Sequence, residues 1–542
     1  MGLEEAYHYL GKWGRWQLMI YCVLCLSFGL PAIWQLMAIV FIGVINPHHC
    51  KIDGNYTVKQ AIPHVINDLT DELEPSSCKI FKYPLNFTNN DTIGCNSWTY
   101  DPIGFDPKGT ITMEWDLVCD KDTYVENSQT TFNVGVCLGA VLFTPFADKF
   151  GRKKLFFICQ FFMNVFGICM SFSPNYVAFC IFQFLTGALS QGLTMTGFVI
   201  ACELFPTELR TFMAPGAYLF TAAGMTSLSL WAYFLRDWRK LQLYISIPPF
   251  IYDVLSWCPE SIRFLVANYR NEEAMVILKK AAKVNNVDLP DDILDDNVQA
   301  ELKEGETDLK KPSMLRLLKS PRPRRYMLTM LFLVLSNNLM YFGLSLLTAA
   351  MEGDRYINFM IVSVVEIPSV IVAIIASNKL VGSLDKGKMV TTFALISKFG
   401  VAGAWCIELV YAQEIYPTLL RSTGLGITAG FGFIGAILAP YSVYLYRKYL
   451  WVPGTVFGIL SFMASFLVLL EPETMGRALP DTVEEIESWT MSVSKEEREQ
   501  WTANNKKKLE DYKRKREASK ENGHQNPAFE EDKEIGTDNT RI

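Results

Sequence analysis

The stretch QLMIYCVLCLSFGLPAIWQLMAIVFIGV, residues 17–44, contains no Asp, Glu, Lys or Arg. It exceeds the roughly 20 apolar residues that an α-helix needs to cross a bilayer. Lipid offers the backbone no hydrogen bonds, so a run of this length must satisfy its own peptide groups as a helix. It is also too long for the apolar core of a cleaved signal peptide. We therefore predict a membrane-spanning signal-anchor helix over 17–45.

Similar runs recur along the 542-residue chain, of which 50% is hydrophobic and 20% charged. Seven more uncharged runs cover 128–147, 155–173, 175–202, 211–235, 326–351, 422–446 and 449–470. Three others hold only isolated ionisable groups: Asp253 in 241–258, Glu366 in 356–378, and Lys398 and Glu408 in 389–413. The pattern predicts an all-α polytopic membrane protein with 11 candidate spans. Spans 2–6 fall in 128–258, and a second group falls in 326–470.

The polar loop over 46–127 separates the first two spans. It contains four of the 13 cysteines, Cys50, Cys78, Cys95 and Cys119, and three glycosylation sequons, at Asn55, Asn86 and Asn90. Paired cysteines and glycans belong to an oxidising compartment, so we expect this loop to be extracellular. Four cysteines allow three disulfide pairings, and the sequence does not choose among them.

Positive charge supports this orientation, since Lys and Arg favour cytoplasmic loops. The N-terminus (1–16), the loop after the second span and the loop over 259–325 carry such residues and are predicted to be cytoplasmic. Arg236, Arg239 and Lys240 disagree, because this scheme places them outside. The tail over 471–542 is charged and is predicted to be largely disordered.

Two kinds of motif mark the predicted cytoplasmic ends of the spans. Asp148-x-x-Gly151-Arg152 follows the second span, and its glycine permits a tight turn. Glu203-x-x-Pro-Thr-x-x-Arg210 recurs as Glu414-x-x-Pro-Thr-x-x-Arg421, an internal repeat typical of a duplicated half. We expect these charged residues to lock helix ends during conformational change.

These motifs resemble the major facilitator superfamily, whose two pseudo-symmetric helical halves enclose a central cavity. The cysteine-bearing loop, Pro259-Glu-Ser-Ile-Arg and Leu479-Pro-Asp-Thr are similar to the organic cation/anion/zwitterion transporter family. The resemblance implies a plasma-membrane carrier for small organic ions that works by alternating access, with cations or carnitine-like zwitterions favoured. The chain departs from that family at Thr144, Gln183 and Phe433.

A larger departure follows the predicted eighth span. Family members have a loop and a ninth span here, whereas 375–388 runs directly into 389–413, which resembles the tenth. The sequence is therefore predicted to lack the ninth span. Eleven spans would put the tail outside, yet its many Lys and Arg residues favour the inside, and the sequence leaves this conflict open.

Ionisable and aromatic residues within the second group of spans are the candidate substrate ligands. They are the charged residues Glu366, Lys398 and Glu408 and the aromatic residues Tyr341, Trp405 and Phe433. An intramembrane charge is costly unless it faces a cavity or a partner, and aromatic rings attract organic cations. For Glu366, a structural bond beside Pro368 is the competing interpretation.

The sequence shows no catalytic constellation, metal spacing or phosphate loop, so neither an enzyme nor a cofactor is expected. The expected partners are a small organic ion and the lipid bilayer, and nothing indicates a nucleic acid. Thr540-Arg541-Ile542 also fits a PDZ-domain ligand. Two alternatives remain: a non-transporting membrane protein that lacks one span, and a sugar porter.

Overall fold

The structure is a computed structural model dominated by long helices. It describes residues 6–7, 9–11, 13–52, 56–66, 73–82, 91–100, 109–251, 258–268, 270–287, 289–290, 319–350, 354–376, 400–401, 404, 408, 411–412, 415–416, 421–449, 451–472, 480 and 483–489. Within these ranges five helices are long and apolar enough to cross a membrane: Arg15–Ile42, Arg152–Ser171, Tyr176–Glu203, Pro321–Leu347 and Gly426–Lys448. The predicted all-α polytopic architecture is confirmed.

The helices fall into two groups. Those of the first half are α1 (Arg15–Met37), α2 (Ile39–Ile42), α3 (Val58–Ala61), α4 (Ile111–Glu114), α5 (Tyr124–Phe150), α6 (Arg152–Ser171), α7 (Tyr176–Glu203), α8 (Thr207–Phe234), α9 (Trp238–Ser246), α10 (Ile262–Ala267) and α11 (Asn271–Asn285). Those of the second half are α12 (Pro321–Ala350), α13 (Arg355–Ala376), α14 (Arg421–Leu438), α15 (Tyr441–Lys448), α16 (Val452–Val468) and α17 (Val483–Ser488).

Glycines set the closest helix contact of the first half, between α5 and α7. A Cβ atom at Gly135 would overlap the backbone of Phe184, and one at Gly139 would overlap that of Ala188. Small residues at such crossings let membrane helices pack backbone to backbone. The second half uses the same device where Gly435 of α14 lies against the Leu335 carbonyl of α12.

The two halves repeat one packing scheme. α1 packs on α8 in the first half, and α12 packs on α14 in the second. The halves then meet along two seams, where α13 packs on α8 and α14 packs on α5. This arrangement is the pseudo-symmetric pair of bundles that the repeated Glu-x-x-Pro-Thr-x-x-Arg motif predicts.

The long loop after the first span folds into small paired strands. These are β1 (His48–Cys50), β2 (His64–Ile66), β3 (Leu73–Pro75), β4 (Lys79–Phe81), β5 (Thr92–Gly94) and β6 (Trp98–Tyr100), which pair antiparallel as β1–β6, β2–β3 and β4–β5. Disulfides join Cys50 to Cys95 and Cys78 to Cys119, with Cα atoms 5.6 and 5.7 Å apart. The structure thus selects one of the three possible pairings. The three sequon asparagines lie outside the described residues.

The loop also accounts for a charge that the positive-inside rule leaves unexplained. Arg239, at the start of α9, forms an ion pair of 2.6 Å with Glu114 of α4 and donates to the Ser173 carbonyl. The Trp238 indole donates to the same carboxylate at 2.8 Å. Arg239 therefore has a specific acidic partner in the loop, which offsets the general preference of arginine for the other side.

Tyr7, near the start of the chain, and the end of α16 approach the same end of the bundle, which we name the Arg152 end. The Tyr7 hydroxyl donates to the Glu203 carbonyl at 2.6 Å. After α16, the Leu470 carbonyl accepts from Arg325, near the start of α12, at 2.9 Å. The opposite, Glu126 end contains the start of α5. The tail thus begins at the Arg152 end, whereas the eleven-span count places it at the other end. The predicted absence of a ninth span falls mainly on 377–399, outside the described residues.

Helix boundaries differ from the uncharged runs in two places. α12 begins at Pro321 instead of residue 326, because proline is tolerated in a first helical turn and charge does not stop a helix. In the tail, α17 buries Ile486, which packs with Tyr326 and Met327. This part of the tail is ordered against α12.

Candidate functional site

The first candidate acid, Glu366, is buried on α13 with 4% of its surface exposed. Its Oε2 atom accepts a hydrogen bond from the Tyr341 hydroxyl of α12 at 3.1 Å. A carboxylate inside a bilayer costs about 3 kcal/mol unless polar groups surround it. The Tyr341 contact lowers that cost and joins two of the predicted site residues.

The second candidate acid, Glu408, contacts the same helix. Its Oε2 atom accepts from the Asn337 amide of α12 at 2.8 Å. Asn337 and Tyr341 are four residues apart, so they share one face of α12 about 6 Å apart along its axis. The two acids therefore approach a single polar stripe, Asn337 and Tyr341, which we name the α12 stripe.

Sequence reasoning missed Asn337. Its signal is a run of three polar residues, Ser336, Asn337 and Asn338, in the middle of an otherwise apolar span. All three are buried, at 3% exposure or less. Polar side chains inside membrane helices normally find partners within the protein, so such a run marks the face that meets other helices.

Three other residues were predicted to be substrate ligands, and the structure describes one of them, Phe433. Phe433 lies half-buried on α14, beside Gly432, where an added Cβ would come within 2.7 Å of the Asn338 amide nitrogen. This part of α14 therefore borders α12 one residue from the α12 stripe. Lys398 and Trp405 lie outside the described residues.

A charged cluster closes the Arg152 end of the first half. Arg152, at the start of α6, forms an ion pair with Glu203, at the end of α7, and Ser261 donates to the same carboxylate. Glu260 accepts from the backbone amides of Arg152 and Lys153 at 3.1 and 3.0 Å. The cluster connects the ends of α6, α7 and the segment before α10.

Gly151 is essential to this geometry. Its φ of 96° lies in the region that favours glycine, and an added Cβ would approach the Glu260 carboxylate to 2.8 Å. The sequence identified Gly151, Arg152 and Glu203 but missed Glu260, whose signal was the Pro259-Glu-Ser motif. The side chains of Asp148, Arg210 and Arg421, and the whole of Glu414, lie outside what the structure describes.

The two halves are joined at the Glu126 end. Glu126 of α5 forms an ion pair with Arg447 of α15, and the Tyr441 hydroxyl donates to the Asn127 side chain at 2.9 Å. Deeper along the same seam, Asn133 donates to the Ala436 carbonyl at 2.6 Å. These bonds hold α5 against the α14–α15 segment.

Aromatic rings close the second seam at this end. Phe41 of α2 stacks on Tyr356 of α13 with ring centroids 5.4 Å apart, and it meets Phe359 edge-on at 5.3 Å. Tyr233 of α8 contacts Tyr356 from the other side at 5.8 Å. Among the residues described at this end, one ion pair, several hydrogen bonds and an aromatic cluster therefore hold the halves together.

Comparison with known proteins agrees with this architecture. Residues 119–382 match the family described as "Sugar (and other) transporter". The chain is 30% identical over 527 residues to the organic cation transporter protein of Drosophila melanogaster, covering 90% of this chain and 95% of that protein. It is 30% identical over 528 residues to organic cation/carnitine transporter 2 of Mus musculus, with 89% and 93% covered. The xylose transporter XylE from E. coli matches with a TM-score of 0.54 at 15% identity, covering 88% of this chain and 100% of that chain.

The paired bundles and the likeness to XylE define the major facilitator fold. Within that fold, the two full-length relatives fix the family. With the 30% identity to solute carrier family 22 member 21 of Mus musculus, over 89% of this chain and 93% of that protein, they show that the chain belongs to solute carrier family 22, the organic cation/anion/zwitterion transporters. The resemblance that the sequence motifs predicted is therefore confirmed.

Proposed function

We propose that this protein is a plasma-membrane secondary transporter of small organic ions, with cations or carnitine-like zwitterions favoured. The observation that carries the proposal is the pair of acids, Glu366 and Glu408, held by the α12 stripe. The printed names of the relatives, an organic cation transporter and an organic cation/carnitine transporter, support the same substrate class.

The acids would recognise the cationic part of the substrate. A carboxylate in a low-dielectric site attracts a cation more strongly than it does in water. Tyr341 adds an aromatic face beside Glu366, and such faces contribute up to about 2 kcal/mol to binding a desolvated organic cation. For a zwitterion, Lys398 is the proposed partner of the substrate carboxylate.

We assign the Arg152 end to the cytoplasm and the Glu126 end to the outside. The disulfide-bonded loop supports this orientation, since disulfides form in oxidising compartments. The contacts between Glu126 and Arg447 then close the external side. Transport requires these contacts to break while the Arg152 cluster rearranges, and a substrate gradient, the membrane potential or a coupled ion drives the cycle.

Uptake measurements test the proposal. Cells expressing the protein would be given a radiolabelled organic cation, carnitine, an organic anion and a hexose, with surface protein measured by biotinylation. Uptake of the cation or of carnitine per surface copy is expected. E366Q and E408Q should each reduce it about 10- to 100-fold, which corresponds to losing a bond to a charged group.

E272Q is the matched control, because Glu272 is exposed on α11. It should leave uptake unchanged. Uptake of hexose alone would support the sugar porter, and no uptake of any substrate at normal surface density would support a non-transporting protein. Equal uptake by E366Q, E408Q and E272Q would show that the two acids do not bind substrate.

A further inference from the structure

A groove opens on the periphery of the first half, at the Arg152 end of the bundle. It has a volume of about 1310 Å³, and α1, α6, the segment at Cys258–Glu260 and α11 line it. This is above the roughly 300–1,000 Å³ of typical small-molecule sites. The groove lies apart from Glu366 and Glu408, which belong to the second half.

The wall of the groove is apolar and exposed. Met19 of α1 is 42% exposed, Ile158, Phe161 and Phe162 of α6 are 45–51% exposed, and Val276 of α11 is 69% exposed. Phe162 is nine residues beyond Lys153, which places it about 13 Å farther along the helix. The hydrocarbon core is about 30 Å thick, so this wall extends through most of one leaflet.

The rim of the groove is basic. Lys153, Lys154, Arg270 and Lys280 line it together with the carboxylates of Glu260 and Glu273, an excess of two positive charges. Glu260 already accepts from backbone amides, and Glu273 forms an ion pair of 2.6 Å with Arg270. Within the described part of the chain the three rim lysines form no ion pair, and Lys154 and Lys280 are exposed.

α11 is fixed in place beside the bundle. Its buried face, Ala274, Leu278, Ala281 and Ala282, belongs to the main core cluster of the first half. At its end, the Asn285 side chain accepts from the Trp16 amide at 2.9 Å and donates to the Leu10 carbonyl at 3.0 Å. The rim lysine of α11 therefore keeps a defined position relative to those of α6.

We propose that this groove binds an anionic phospholipid of the leaflet at the Arg152 end. Lys154, Lys280 and Lys153 would contact the headgroup phosphate and carboxylate, and an acyl chain would lie on the Phe161–Phe162 wall. With the orientation proposed above, this is the cytoplasmic leaflet, where anionic lipids are concentrated. Only the naming of that leaflet rests on the proposed function.

Lipid retention by the purified full-length protein tests the site. Native mass spectrometry would follow titration with dioleoylphosphatidylserine, with dioleoylphosphatidylcholine of identical chains, and with soluble glycerophosphoserine. We expect one phosphatidylserine to bind more tightly than phosphatidylcholine. K154Q/K280Q should weaken it about 25-fold, since each lysine near an anionic surface contributes roughly a factor of five.

K279Q/K283Q is the matched control, because it removes two lysines of the α6–α11 region that do not line the groove. It should keep near-native phosphatidylserine affinity. An equal loss in both double variants would overturn the site in favour of general surface charge. Phosphatidylcholine binding as tightly, or glycerophosphoserine binding as tightly as the lipid, would also overturn it. None of these readouts requires transport, so a failure here is distinct from a failure of the transport proposal.

Discussion

Replacing Arg447 by glutamine should open the Glu126 end. The Glu126 side chain is 5% exposed and that of Arg447 is 32% exposed, so the variant leaves a buried carboxylate without its cation. Breaking a fully buried pair costs about 3–5 kcal/mol. Because a third of Arg447 reaches solvent, we expect about 2 kcal/mol, which shifts the ratio of open to closed states roughly 30-fold.

Cys137 provides a native reporter for this opening. It is half-buried on α5, and its thiol faces the Gly430 carbonyl of α14 at 3.9 Å, on the seam between the halves. A thiol reacts with maleimide only when water and reagent reach it. Labelling of intact cells by a membrane-impermeant maleimide should therefore be faster in R447Q, with a C137S version giving the background.

K448Q is the matched control for R447Q. Lys448 is the next residue on α15, but it donates to Tyr444 of the same helix instead of crossing the seam. Its replacement should leave the labelling rate of Cys137 unchanged. The reasoning fails if R447Q and K448Q label at the same rate. It also fails if the double variant R447Q/E126Q, which has no unpaired carboxylate, labels as fast as R447Q.

Three further predictions concern stability and topology. Burial raises the pKa of Glu471 to about 7 from 4.5, although the Tyr411 hydroxyl and Arg325 oppose the shift. Between these pH values the folded state holds more protons than the unfolded state, so thermal stability should fall as pH rises from 4.5 to 7. E471Q should flatten this dependence of the melting temperature on pH. E114Q should lower the melting temperature by weakening the contacts of Trp238 and Arg239, a loss of about 1–3 kcal/mol that E272Q should not reproduce. Enzymatic deglycosylation should shift the gel mobility of the protein, and joint replacement of Asn55, Asn86 and Asn90 should abolish that shift; a shift that persists in the triple variant would contradict an external loop.

The helical architecture was predictable because each bilayer span needs a long uncharged run. The two intramembrane acids were predictable for a related reason, since a single charge stands out against an apolar background. Their partners were harder to find. Asn337 is uncharged, and Tyr341 was chosen for its ring, so neither hydrogen bond follows from sequence spacing across 71 or 25 residues.

Ion pairs between distant segments could not be predicted from the sequence for the same reason. Arg152 and Glu203 were predicted to be gating residues, but Ser261, which bonds to both, comes from a third segment. Arg239 looked misplaced because the positive-inside rule counts charges and ignores individual partners. Its partner Glu114 lies 125 residues away, in a loop whose fold is not predicted by any hydrophobic periodicity.

The positions of helix ends bear on the side of the tail, which the sequence left open. α13 begins beside the aromatic cluster at the Glu126 end and, at 1.5 Å per residue, its 22 residues extend about 33 Å to the Arg152 end. α14 begins next to Tyr416, which packs with Tyr326 near the start of α12, again at the Arg152 end. The end of α16 lies at the same end, because the Leu470 carbonyl accepts from Arg325 near the start of α12. α16 therefore returns the chain to the end at which Tyr7 contacts Glu203, and a PDZ ligand at Thr540–Ile542 requires the tail on that side.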